Sequence, residues 1–160
     1  MNRFIEYIFV HCSAGFGNVE SIKKYWSQHL GWKSPGYHRI IEVDGEVFSI
    51  AEFEDIVNGV KGFNSNSISI CYIGGVDPEN YSKAKDTRTE AQKEGLVCEI
   101  KNILEYLKEF QDVTNIKILG HRDVSPDQNG NGFVDSWERI KECPSFNAIE
   151  EYKNIQNEKN

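Results

Sequence analysis

The stretch Tyr37-His38-Arg39-Ile40-Ile41-Glu42-Val43-Asp44-Gly45-Glu46-Val47-Phe48-Ser49-Ile50 sets two strand-prone runs on either side of an Asp-Gly pair. Asp-Gly between such runs is the strongest short-range hairpin signal, because the favoured two-residue turn needs positive φ at both central positions. The stretch therefore predicts strands over 37–43 and 46–50, entered through the Pro35-Gly36 turn. Upstream, Tyr7-Ile8-Phe9-Val10 reads as a buried strand that ends in the polar pair His11-Cys12. Between them, Ile22, Tyr25, Trp26 and Leu30 fall at helical spacing over 19–30, and Gly31 is a good helix stop. Downstream, 67–73 is another apolar run, closed by Gly74-Gly75. Thr89 and Gln92 form a capping box for a helix over 90–110 with an apolar stripe of Leu96, Ile100, Ile103, Leu104 and Leu107. A short strand over 116–119 ends at Gly120-His121. Beyond an Asp/Asn/Gly-rich loop, 137–142 reads as helix-like, a short helix surrounds Ile149, and the polar tail 154–160 is expected to fray. Strands and helices that alternate around a tight hairpin predict an α/β fold: one domain over 1–153, with a mixed central β-sheet containing the hairpin and helices flanking it.

With 160 residues, the chain has room for one substantial core. Its formal net charge of −7, without a dense basic run, argues against nucleic acid as a partner, since phosphate binding needs clustered Lys and Arg. No apolar run approaches a membrane span. Met1-Asn2-Arg3-Phe4-Ile5-Glu6-Tyr7 enters strand pattern at once, so no signal peptide is expected and the chain is expected to stay cytoplasmic until released. Of the four cysteines, Cys71 in a strand and Cys98 in a helix read as small hydrophobes, while Cys143 stands apart before Pro144.

His11 and His121 each follow the end of an apolar strand, where ligands gather in open α/β sheets. Two imidazoles and the Cys143 thiolate would make a three-ligand zinc set with a fourth position left for water. The spacing alone does not separate this from ordinary polar residues at strand ends.

The ordered set of His11 after a strand, Gly36-Tyr37-His38 before the Asp-Gly hairpin, Lys61-Gly62-Phe63-Asn64 before a strand running into Gly74-Gly75, Gly120-His121, and Lys141-Glu142-Cys143-Pro144-Ser145-Phe146 resembles the type 2 N-acetylmuramoyl-L-alanine amidases. That family includes phage amidase endolysins and peptidoglycan recognition proteins, and the likeness runs over 7–152. The resemblance implies zinc on His11, His121 and Cys143, with Tyr37 and Lys141 as catalytic residues and peptidoglycan as substrate. Zinc would acidify a bound water and polarise the amide carbonyl, and Lys141 or Tyr37 would stabilise the charge that develops on the carbonyl oxygen. His38 alternates away from Tyr37 and is not expected to be a ligand, and His29 reads as a surface residue. Family members commonly carry a His three residues before the Gly of the Lys-Gly-aromatic-Asn segment. This chain has Gly59 there, which implies a different arrangement of substrate positioning or of one proton transfer.

A second metal signal lies in 127–138. Asp127, Asn129, Asn131, Asp135 and Glu138 place side-chain oxygens at positions 1, 3, 5, 9 and 12 of a calcium-loop pattern, Gly132 stands at position 6, and Phe133 would lend its carbonyl at position 7. The competing reading is a plain Asn/Gly-rich turn, and Pro126 argues against an incoming helix and a paired EF-hand. The sequence thus points to a monomeric zinc amidase with a calcium-loop-like insertion. One rival is a peptidoglycan-binding module of the same fold without hydrolysis, though non-catalytic relatives typically lose the cysteine present here as Cys143. The other is a calcium-dependent interaction protein with structural histidines.

Overall fold

The computed structural model describes residues 1–157. β1 (Tyr7–Cys12) lies near the centre of a five-stranded sheet, flanked by β4 (Ser67–Tyr72) and β7 (Lys117–Gly120), both parallel to it. β2 (Arg39–Ile41) pairs in parallel with β4, and β3 (Val47–Ser49) closes the far edge antiparallel to β2. This is the Asp44-Gly45 hairpin, and it makes the sheet mixed; its strands are shorter than the apolar runs, and its turn is wider than the expected two-residue one, with positive φ at Gly45 but not at Asp44. A separate two-stranded ribbon of β5 (Val76–Asp77) and β6 (Asn80–Ala84) follows the Gly74-Gly75 turn.

Each face of the sheet has its own core. Ile8 and Val10 of β1, with Ile68, Ile70 and Tyr72 of β4, pack against the stripe of α2 (Glu90–Lys108), whose Leu96, Ile100, Ile103, Leu104 and Leu107 are all buried. The Thr89–Gln92 capping box is formed, and the Gln92 amide also donates to Ile73 O at 2.9 Å. α3 (Ala148–Tyr152) packs on this same face. On the other face, Ile40, Cys71 and Ile73 meet Val19 and Trp26.

α1 (Val19–Lys24) is shorter than its periodicity predicts and runs on as a π-helical turn, Tyr25–His29. His29 is exposed, as expected, and so is Cys98, whose side chain therefore does not serve the core. The 137–142 segment is not helical beyond a single 3-10 turn, Ser136–Glu138, and Lys141 lies on irregular backbone after it. The expected fraying fails over the described part of the tail. Ile155 is buried in the α2-side core, and the Gln156 amide donates to Val113 O (3.0 Å) and Ile116 O (2.7 Å) in the connection into β7. Residues 158–160 of that tail lie outside the described residues.

Candidate metal centre

His11 and His121 meet because of strand register. Val10 stands opposite Gly120 in the parallel β1–β7 pair, so the next residue of each strand reaches the same sheet end. The two rings lie 5.1 Å apart, centroid to centroid. Cys143 arrives from a turn clamped over those strand ends. Arg122 N donates to Cys143 O (2.8 Å), Tyr72 Oη donates to Pro144 O (2.6 Å), and Ser145 Oγ donates to Gly75 O (2.7 Å). Gly120 is required for this approach, since a Cβ there would meet Pro144 Cδ at 2.4 Å. Arg88 holds the turn from behind, with its guanidinium 3.3 Å from the Phe146 ring centroid and paired with Asp86 and Glu151.

The ligand atoms of His11, His121 and Cys143 all lie within 4.8 Å of one another, the one such group of His, Cys, Asp or Glu side chains among the described residues. His11 Nδ1 faces Cys143 Sγ at 3.8 Å, and the Cys12 N–H donates to the same sulfur at 3.2 Å. Burial, with the neighbouring His121 and Lys141, lowers the His11 pKa well below that of a free imidazole. Burial, with Lys141, lowers His121 to about 4. Both rings are therefore neutral at pH 7, with lone pairs free for a cation. Hydrogen bonding with Cys12 and burial push the Cys143 thiol up, so a cation must supply the field that ionises it. The donor set and its electrostatics fit a metal ion.

A groove of about 720 Å³ opens over these residues. Tyr37 lines it just ahead of β2, 4.9 Å from the His11 ring centroid, and burial, with the nearby Cys71 thiol, raises its phenol well above the ordinary range. Lys141 lines it too and is exposed. The five residues expected for zinc and catalysis thus come together. His38 does not join them. It is buried, its Nδ1 accepts from Ser69 N at 3.0 Å, and burial lowers it to about 4.

The rest of the lining was not legible as such. Ile22, Tyr25, Trp26 and Leu30 carry the stripe over 19–30, and they form a wall of the groove with Trp32. A helical stripe that ends in exposed aromatics is the only local sign of it. Ser69, inside an apolar strand, places its Oγ 3.2 Å from His11 Nε2, and its sign was a lone polar residue between Ile68 and Ile70.

A match to the N-acetylmuramoyl-L-alanine amidase family model covers residues 1–145. The chain belongs to the N-acetylmuramoyl-L-alanine amidase family. The endolysin of Klebsiella phage KP32 is 32% identical over 143 residues, covering 87% of this chain and 80% of that protein. Two solved structures share the fold. The N-acetylmuramoyl-L-alanine amidase LysC of Clostridium intestinale has a TM-score of 0.65 at 21% identity, over 99% of this chain and 89% of that one. Apis mellifera PGRP-SA has a TM-score of 0.67 at 19% identity, over 94% and 82%.

The 127–138 loop lies away from the groove lining. Asp127 accepts from the N–H groups of Gly130 (2.7 Å) and Gly132 (2.8 Å). Asn129 and Asn131 each accept from the N–H two residues on, at 2.9 Å, and both side-chain amides donate to Asp135. Glu138, only 2% exposed, accepts from Gln128 N (2.7 Å), Asn129 N (3.0 Å) and Asp135 N (2.8 Å). The Phe133 side chain points to solvent.

Proposed function

We propose that this family member is a zinc-dependent amidase that hydrolyses the bond between N-acetylmuramic acid and L-alanine in bacterial peptidoglycan, as a phage or prophage endolysin. The observation that carries this reading is the meeting of His11, His121 and Cys143 beneath a groove that also presents Lys141 and Tyr37. His11 through Nδ1, His121, and the Cys143 thiolate would hold the zinc, three protein ligands that leave one position for water or substrate. The chemistry zinc supplies in such a set is a water acidic enough to attack at neutral pH and a polarised carbonyl.

The chain's own residues do the rest. Lys141, whose charge reaches both imidazoles, brings an ammonium to the side of the groove where negative charge develops on the amide oxygen. Tyr37 keeps its proton at neutral pH and serves as a hydrogen-bond donor to the same oxygen or to the leaving group. Tyr25, Trp26, Leu30 and Trp32 give the substrate an apolar wall that limits water around the reacting bond. Retention of Cys143 beside Lys141 weighs against a binding module without hydrolysis.

The 127–138 loop we assign to calcium, through Asp127, Asn129, Asn131, Asp135, Glu138 and the Phe133 carbonyl, an all-oxygen set suited to a hard cation. Its role would be to hold the path into Lys141 and Cys143, which begins three residues after Glu138. The setting we propose follows the endolysin relatives: a monomer made in a host cytoplasm and released onto the wall, with no nucleic-acid partner. Among the described residues no helix is long and apolar enough to cross a membrane.

Digestion of purified sacculi, with mass spectrometry of the released ends, tests the reaction. Stem peptides with a free L-alanine amine are expected, and their formation should stop with a zinc chelator and resume with added zinc. Release of reducing sugar ends instead would assign the cut to the glycan and overturn the proposal.

A further inference from the structure

Ser69 is fully buried in the middle of β4, between Ile68 and Ile70. A hydroxyl in such a place costs stability unless it is hydrogen-bonded. Its hydrogen-bond partner is the Nε2 of His11, at 3.2 Å. The backbone of Ser69 is fixed on both sides by His38: Ser69 N donates to His38 Nδ1 (3.0 Å), and Ser69 O accepts from His38 N (2.8 Å). The serine therefore has little freedom to move away from the imidazole.

The space around that hydroxyl is closed by Gly59, on the groove side. A Cβ at position 59 would fall 2.2 Å from Ser69 Oγ, 3.0 Å from Ser69 Cβ and 3.3 Å from Gly36 O. A side chain at 59 and the present placement of the Ser69 hydroxyl exclude one another. The missing side chain at 59 and the buried hydroxyl at 69 thus form one local arrangement.

We propose that Ser69 is a positioning residue for the metal centre: it accepts a hydrogen bond from the Nε2–H of His11, which sets the ring's tautomer and leaves the Nδ1 lone pair aimed toward Cys143, and Gly59 is the glycine that admits it. The proposal rests on His11 being a metal ligand. Outer partners of metal-bound imidazoles act in this way, fixing ring orientation and tautomer, and their loss typically lowers metal affinity by about 10–100-fold.

The test compares the full chain with Ser69→Ala, Gly59→Ala and the double variant. Zinc affinity is read by competition with a chromophoric chelator. The His11 tautomer is read from ¹⁵N–¹H correlation of the imidazole nitrogens in the metal-free protein. Wild type should show the Nε2–H form, and Ser69→Ala should lose that preference and bind zinc about 10–100-fold more weakly, with circular dichroism unchanged. Gly59→Ala should behave likewise because it displaces the hydroxyl, and the double variant should lose less than the sum of the two. Should Ser69→Ala fail to fold, Gly59→Ala carries the same two readouts. Wild-type affinity and an unchanged tautomer in either variant would overturn the proposal. Failure of the wild type to bind zinc would instead overturn the metal reading, and the tautomer comparison in metal-free protein would still decide whether Ser69 orients His11.

Discussion

His11, His121 and Cys143 come from three separate stretches of chain. They meet because β1 and β7 pair in register and the turn at Cys143 is clamped over their ends. The 127–138 loop draws its oxygen groups from one short stretch of chain and stands at the surface, with Phe133 75% and Trp137 64% exposed. Strand register and the hydrogen bonds of the Cys143 turn position the first site. The second site is held by its own hydrogen bonds, with Asp127, Asp135 and Glu138 turned onto loop N–H and amide groups. An ion lost from the first should therefore abolish chemistry and leave the fold standing. An ion lost from the second should loosen local order and reach the chemistry only through Lys141 and Cys143.

The largest effect should come from Cys143→Ala. It removes one of three ligands, so bound zinc should disappear and amidase activity should fall by about 10³-fold or more. The Cys12 N–H loses its acceptor, a cost of about 1–3 kcal/mol that the rest of the core can carry. Metal analysis together with circular dichroism checks this. Global unfolding of the variant would break the distinction, because the centre would then be holding the fold.

Lys141→Ala should act on turnover alone. Zinc stoichiometry should stay at the wild-type value, while kcat falls by about 10²–10³, the range for removing one donor aimed at a developing oxyanion. Normal turnover in the zinc-loaded variant would remove Lys141 from the mechanism.

Calcium should show the opposite pattern. At about 100 times its Kd, a ligand that binds only the folded state adds about 2.7 kcal/mol, and for a domain of this size that raises Tm by about 5–10 °C. Thermal melts in calcium and in a calcium-selective chelator, with zinc held constant, make the measurement. Coincident melts would leave the loop as an Asn/Gly-rich turn.

The same contrast explains what could be read from the chain. The Asp44-Gly45 hairpin and the Thr89–Gln92 cap are local devices, encoded within a few residues, and both form where the sequence places them. The calcium-like pattern is local too. Convergence of His11, His121 and Cys143 is not local, and spacing left it open until the family resemblance supplied the order of motifs. Periodicity also leaves a stripe's role open. Leu96, Ile100 and Leu107 of α2 bury their stripe in the core, whereas the stripe over 19–30 is divided: Trp26 is buried under the sheet, while Tyr25 and Leu30 line the groove and remain exposed. An amphipathic pattern records that a face avoids water and does not record what covers it. The tail failed for a related reason, since one Ile155 among polar neighbours is enough to dock when a core edge lies within reach.

The smallest effect sharpens the comparison most. Asn131 donates from its side-chain amide to Asp135 at 3.0 Å, which ties the two sides of the loop together. Asn131→Asp replaces that donor with a second carboxylate beside the first. Without calcium the two like charges repel in an exposed loop, a penalty of about 0.5 kcal/mol that lowers the chelator-treated Tm by about 1–2 °C. With calcium the added charge becomes a ligand, and affinity should rise because ligand charge count tunes such loops. The gap between the two melts should widen from both sides, while zinc content and kcat at saturating calcium stay at wild-type values. A uniform shift of both melts would mean that position 131 senses only its neighbours in the loop, and the calcium assignment would lose its support.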